Sequence, residues 1–150
     1  IIILDQVTDP QNVGAIIRSA YAFKMDALAL SQTNSPVEST SMSKASSGTI
    51  EKLKIIELSN MSRAIRKLQD ANFHVYGLAN GGYGSVLDLE KEDGNVAVIV
   101  GSEGKGLRRL TREKVDQLLK IPINPDSESL NVSNAASISM FQLQKNIIKN

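Results

Sequence analysis

Hydroxyl and amide side chains crowd the stretch Ile121–Phe141, IPINPDSESLNVSNAASISMF, in a spacing suited to gripping a polar ligand. A turn-rich loop of Asn124, Pro125, Asp126 and Ser127 precedes Ser129-Leu130-Asn131. That tripeptide runs straight into a helix of small residues, among them Ser133, Ala135, Ala136, Ser137 and Ser139. Free N–H groups at a helix start attract anionic groups, and small side chains let a second backbone or a cofactor come close. An ordinary N-cap before a well-packed helix fits the same residues equally well.

A second chemical stretch is Val96–Leu110, VAVIVGSEGKGLRRL, where an apolar strand runs into Gly101, Gly104 and Gly106. Glycines at such a bend let backbone amides face a ligand. The Gly-Lys-Ser/Thr ending of a nucleotide triphosphate loop is absent, and the spacing is not that of the dinucleotide fingerprint. Glu103 sits inside the loop; a carboxylate there repels a pyrophosphate but accepts hydrogen bonds from amines or hydroxyls. Lys105, Arg108, Arg109, Arg112 and Lys114 follow as the densest basic cluster of the chain. They suit RNA phosphates, or equally a solvated helix balanced by Glu113 and Asp116. A third stretch is Leu4–Phe23, LDQVTDPQNVGAIIRSAYAF. Asp9-Pro10 imposes a turn, Asn12 is placed to cap a helix, and Val13, Ile16, Ile17 and Ala20 recur at helical spacing. Arg18 falls off that apolar stripe, at the sheet edge where open α/β folds bind ligands. A surface arginine paired with an acid is the commoner fate of such a residue.

The elements that must position these residues alternate. Short Val/Ile/Leu-rich runs predict strands over Ile1–Leu4, Ala27–Leu30, Lys54–Leu58, His74–Ala79, Val96–Val100 and Leu119–Ile123. Helical spacing predicts helices over Val13–Phe23, Ser62–Asn72 and Thr111–Gln117. Strands apolar on both faces and separated by helices imply an α/β fold, a mostly parallel sheet with helices on both faces. Ser31–Gly48 is rich in Ser and Thr and reads as loop with a short helix; Lys44 and Ser46-Ser47-Gly48 within it could touch a phosphate backbone. Asn80-Gly81-Gly82-Tyr83-Gly84 reads as a flexible turn able to wall a pocket.

With 150 residues, 41% hydrophobic and 22% charged, the chain suits one globular domain. No apolar run approaches a membrane span, and the apolar start IIILD lacks the features of a signal peptide. The absence of cysteine excludes disulfides and suits the cytoplasm. One histidine, His74, and no cysteine leave no transition-metal site, so no metal is expected. A net charge of +1 means that attraction to nucleic acid must be local.

Three segments in order carry a resemblance: DPQNVGAIIRSA (Asp9–Ala20), IVGSEGKGL (Ile99–Leu107) and IPINPDSESLNVSNAAS (Ile121–Ser137). They are similar to the three motifs of the SpoU (TrmH-like) class of the SPOUT RNA 2'-O-ribose methyltransferases. SSGTIEKLKI, Ser46 to Ile55, also resembles that class, with Thr49 in place of alanine. The nearest subgroup is the bacterial enzymes that methylate a guanosine ribose in large-subunit (23S) rRNA. Pro125 stands where glycine is usual and Asn134 where a small apolar residue is usual.

The resemblance implies a C-terminal trefoil knot and S-adenosyl-L-methionine as methyl donor, contacted by Gly101, Ile121 and Leu130. It also implies a homodimer acting on RNA, rRNA ahead of tRNA. It gives Arg18 the central catalytic role, as base or as electrostatic anchor, with Ser129 and Asn131 orienting Arg18 or the ribose. Asn12 and Glu103 would shape the same pocket. The whole of 1–150 would be the catalytic domain, without the N-terminal RNA-binding domain of many relatives. The alternatives are a tRNA enzyme of the same class, a non-catalytic RNA-binding protein of the same fold, and a Rossmann oxidoreductase, which the missing fingerprint disfavours.

Overall fold

The computed structural model describes residues 1–31, 48–49, 51–89 and 95–144. The expectations for Lys44, Ser46 and Ser47, and for most of the Ser31–Gly48 segment, lie outside the described residues. In chain order the elements are β1 Ile2–Asp5, α1 Pro10–Ala22, β2 Leu28–Ser31, β3 Ile55–Leu58, α2 Met61–Asp70, β4 Phe73–Leu78 and β5 Gly84–Ser85. A 3-10 turn Val86–Asp88 follows, then β6 Asn95–Gly101, α3 Arg109–Lys114, β7 Gln117–Lys120 and α4 Val132–Gln144.

The strands form one seven-stranded sheet in the order β3-β2-β1-β6-β4-β7-β5. Each pairing between these strands is parallel. The central strands explain why: Ile2, Ile3, Leu4 and Val98, Ile99, Val100 are buried on both faces, so both faces must be covered. On one face Ile2, Leu4, Val98 and Val100 meet Val13, Ile16, Ile17 and Ala20 of α1 and Val132, Ala136 and Met140 of α4. On the other, Ile3, Ala29, Val75, Ala97 and Ile99 meet Met61 and Ile65 of α2 and Leu107. The α/β architecture read from the alternation of apolar runs is therefore the one observed.

Several boundaries differ from the sequence reading. Helix α1 starts at Pro10 rather than Val13, and Asp9, not Asn12, caps it by accepting from Gln11 N at 2.9 Å. Proline at the first helical position needs no N–H partner, so the helix can begin there. The last strand spans Gln117–Lys120 and not Leu119–Ile123. Its partners run out: β4 pairs with Gln117 to Leu119 and β5 with Leu119 and Lys120. Pro122 then has no N–H to extend a ladder. The helix expected over Thr111–Gln117 is the shorter α3, Arg109–Lys114. It stops because Asp116 is recruited to the sheet, where its carboxylate accepts from Val75 N at 2.7 Å and from Gln69 Nε2 at 2.9 Å. The two-residue strand β5 begins at Gly84, within the stretch read as a turn.

One buried acid locks the upper edge of the sheet. Asp5 ends the apolar β1 and is 0% exposed. Its Oδ2 accepts from Arg108 N at 3.1 Å and Thr111 Oγ1 at 2.8 Å, and its Oδ1 from Arg108 Nε at 2.7 Å. Burial of a carboxylate is tolerated because each oxygen has a partner. The same bonds clamp the chain just after the glycine loop to the end of β1. Replacing Asp5 by Ala removes the acceptor of three donors, Arg108 N, Arg108 Nε and Thr111 Oγ1, although the half-exposed guanidinium can turn to water. The expected loss is about 2–4 kcal/mol of unfolding free energy, with a smaller loss for Asp5→Asn, read from urea midpoints. An unchanged midpoint for Asp5→Ala would show that the clamp contributes nothing.

Candidate active site

The carboxyl end of β6 turns sharply into the segment Gly101 to Gly106. Gly106 N donates to Ser102 O at 2.8 Å and the two residues form an isolated antiparallel bridge. The loop thus folds back on its own entry. A Cβ on Gly101 would lie 2.2 Å from the carbonyl carbon of Gly106, which is why that position admits no side chain. Gly106 itself has φ +65°, in the left-handed region. Beyond it, Leu107 is buried in the lower core and Arg108 is held by Asp5, so both ends of the loop are fixed.

The facing wall comes from the segment after β7. Ala79 N donates to Leu119 O at 2.9 Å, and Asn80 Nδ2 to Glu128 O at 2.8 Å. These bonds hold the loop after β4 against the chain that leads from β7 to α4. Asn131 then stands before α4, its Oδ1 accepting from Ser133 N at 2.9 Å. That cap fixes the orientation of the amide, because only the oxygen can accept from a backbone donor. Its Nδ2 is therefore turned the other way, and donates to Glu103 Oε1 at 2.8 Å and to Asn12 Oδ1 at 3.0 Å. Asn12 Nδ2 in turn donates to Asp9 Oδ2 at 3.3 Å. One amide thus joins the start of α1, the glycine loop and the start of α4. Further along, the hydroxyls of Ser19 and Ser137 are 2.8 Å apart, continuing the seam between α1 and α4.

Between these walls lies a cavity of about 370 Å³ at the carboxyl ends of β4, β6 and β7. Gly101, Glu103, Ile121, Ser129 and Leu130, all singled out in the sequence, line it together. Asn12 and Asn131 do not line it but are tied to it through Glu103. Arg18 is not brought in: it is exposed on α1, outside the cavity walls and outside the amide network. Sequence reasoning missed the roles of Asp5 and Thr111, whose signal was an acid closing an otherwise apolar strand at the ligand-binding edge. Arg112, noted only within a basic cluster, also lines the cavity, as do Asn80 and Gly81 from the turn expected to wall a pocket.

The cavity has the dimensions of a small-molecule site, and its walls mix apolar and polar surface in about equal measure. Leu78, Val100, Ile121 and Leu130 offer apolar surface for a flat heterocycle. Glu103 and Glu128 bring negative charge, and Lys105 and Arg112 positive charge, to its rim. That set suits a ligand carrying both a cation and a carboxylate, and is poorly matched to a pyrophosphate. Among the described residues no group of three His, Cys, Asp or Glu side chains is arranged to hold a metal ion. No helix there is long and apolar enough to cross a membrane.

Comparison with known proteins bears on the family and the fold. The model of the SpoU rRNA Methylase family matches residues 1–141. The chain is 39% identical over 142 residues to the 23S rRNA (guanosine-2'-O-)-methyltransferase RlmB of Xanthomonas campestris, covering 95% of this chain and 57% of that protein. Its likeness to the enzyme of the same name from Escherichia coli K12 is also 39% over 142 residues, covering 95% and 58%. The chain therefore spans less than two thirds of the length of these relatives. Among solved structures, an AdoMet-bound rRNA methyltransferase from Sinorhizobium meliloti superposes with a TM-score of 0.91 at 25% identity, covering 99% of this chain and 56% of that one. The TrmH/SpoU tRNA modifying enzyme of A. aeolicus shares the fold, with a TM-score of 0.86 at 20% identity and coverage of 97% and 73%.

The amide network makes a direct prediction. Asn131→Ala removes the cap of α4 and both donated bonds, and should lower unfolding free energy by about 1–3 kcal/mol. Asn131→Ser, which keeps a capping oxygen, should recover part of that loss. Urea denaturation of the two variants decides it; equal midpoints for Asn131→Ala and the unaltered chain would contradict the network.

Proposed function

The chain belongs to the SpoU rRNA methylase family, and on that footing we propose that it transfers a methyl group from S-adenosyl-L-methionine to a ribose 2'-hydroxyl of RNA. A guanosine of 23S rRNA is the substrate favoured by the named relatives. Such a substrate would put the protein in the cytoplasm. The observation that carries the reading is the single cavity in which Gly101 of the second motif meets Ile121 and Leu130 of the third. A tRNA substrate remains the second reading, supported by a shared fold alone.

The donor supplies an electrophilic methyl; the chain supplies binding and orientation. Backbone groups at Gly101, Ile121 and Leu130 would hold the heterocycle between apolar walls. Glu103, fixed by Asn131, would face the cationic part or a ribose hydroxyl, and Ser129 at the rim would orient the incoming ribose. The new bond joins the ribose oxygen to the methyl carbon as the carbon–sulfur bond breaks, and the hydroxyl proton must leave. Holding oxygen and methyl in line supplies much of the rate, and cationic side chains stabilise charge that develops on the oxygen.

Arg18 would act from the interface of a homodimer. It lies one helical turn from Tyr21, exposed on α1, and Ile138 and Phe141 are exposed on α4, where Phe141 packs edge-on against Phe23 at 5.9 Å. Apolar side chains in water at the α1–α4 seam suit a second copy of the chain. Docked there, Arg18 would stand where the two subunits meet and anchor an RNA phosphate, the role that suits the planar donor fork of a guanidinium. The hydrogen bonds from Ala79 to Leu119 and from Asn80 to Glu128 put the C-terminal segment against the loop after β4, as a trefoil-knotted C-terminus would require.

Calorimetric titration with S-adenosylhomocysteine should give one site per chain. Gly101→Ala, which forces the loop open, should abolish binding. Arg18→Ala should keep that binding and lose methyl transfer by at least about a hundredfold. A folded chain that does not bind S-adenosylhomocysteine contradicts the methyltransferase reading, and full methyl transfer by Arg18→Ala contradicts the role given to Arg18.

A further inference from the structure

A second cleft, of about 320 Å³, opens at the carboxyl ends of β2 and β3, on the same edge of the sheet as the first cavity. One wall holds Ser59, Asn60 and Ser62 at the start of α2, and the other Arg108 and Arg109 at the start of α3. Among the described residues, no Asp or Glu lines it.

Both arginines are set for an outside partner. Arg108 gives only its Nε to Asp5, at 2.7 Å, while 43% of its side chain remains exposed. A guanidinium held along one edge by a buried carboxylate has given up most of its rotamer freedom, so binding through its other edge costs little further ordering. Arg109 is 80% exposed and pairs with Glu113, itself 52% exposed, through one nitrogen. An exposed pair of that kind is weak and gives way readily to a better acceptor. Arg112, on the same short helix, lines the first cavity. Helix α3 is therefore a basic ridge with arginines directed to the cavity on one side and to the cleft on the other.

We propose that this cleft holds the backbone phosphate of a nucleotide flanking the target in a single-stranded RNA. Arg108 and Arg109 are its charge partners, and the hydroxyls of Ser59 and Ser62 its hydrogen-bond donors. The proposal rests on the RNA methyltransferase reading and adds to it a subsite outside the three motifs. Gripping that phosphate fixes where the strand lies and so which ribose reaches the first cavity.

The test is the affinity of the chain for a fluorescein-labelled, mixed-sequence, single-stranded oligoribonucleotide across a range of salt concentrations. Arg109→Ala removes one cation of the cleft. Ser62→Asp places a repelling charge in it while suiting the first turn of α2, where an acid stabilises the helix. Lys67→Ala removes an exposed cation of α2 outside the cleft. Arg109→Ala and Ser62→Asp should each bind RNA at least about fivefold more weakly. In Arg109→Ala the phosphate keeps only Arg108, so the slope of log affinity against log salt should become shallower, by at most about 0.7. Lys67→Ala should match the unaltered chain. If the two cleft variants behave like Lys67→Ala, or the unaltered chain has no measurable affinity for the oligonucleotide, the subsite is overturned. S-adenosylhomocysteine binding by the same proteins keeps the two claims apart. Retained binding with no cleft effect removes the subsite alone, whereas absent binding in the unaltered chain removes the methyltransferase reading.

Discussion

The side-chain amide of Asn131 is the group on which the site depends. Its oxygen is committed to the first turn of α4 and its nitrogen is shared between Glu103 and Asn12. Because a helix cap determines which end of the amide faces which way, the two donated bonds are not free to exchange with acceptance. Glu103 is thereby held toward the cavity rim, and the entrance of α1 is drawn against the entrance of α4. A loop rich in glycine has many conformations available when unfolded; a fixed donor on Glu103, together with the Ser102–Gly106 bridge, selects one.

The sheet supplies the second constraint. Parallel strands deliver their carboxyl ends to one edge, and β4, β6 and β7 bring Leu78, Val100 and Leu119 together there. Asp5 performs for the far end of the glycine loop what Asn131 performs for its middle. The loop is pinned at Gly101 by close backbone packing, at Glu103 by the amide, and at Arg108 by the buried carboxylate. A pocket whose walls are fixed before the ligand arrives loses less entropy on binding. Only Arg18, among the residues marked in the sequence for the site, stands apart from this preorganised part. Its exposure on α1 is accounted for under the proposed dimer, in which a second copy of the chain covers that helix.

Much of this was legible from the residues. The alternation of apolar runs and helical spacing yields the α/β sheet, and glycine spacing together with a polar, small-residue stretch marks both walls of the cavity. Other features were hidden for physical reasons. Ile121–Ile123 looks like a strand, but whether an apolar run pairs depends on a neighbour still being there, and Pro122 removes the donor. Asn12 has the side chain of a cap, yet Asp9 takes that place because Pro10 can start the helix. Asp5 gives no local sign of its partners, which lie more than 100 residues away at Arg108 and Thr111. The second cleft is a product of tertiary packing, since β4, β5 and β6 separate α2 from α3 in the chain and the two helices meet only in the fold.

The central claim, that the 101–106 loop and the 121–131 segment form two walls of one donor site, is tested most directly by hydrogen–deuterium exchange with and without S-adenosylhomocysteine. Amides of both segments, and of residues 79–81, should gain protection together on binding. Protection confined to one wall, or appearing only at the cleft between α2 and α3, would contradict it.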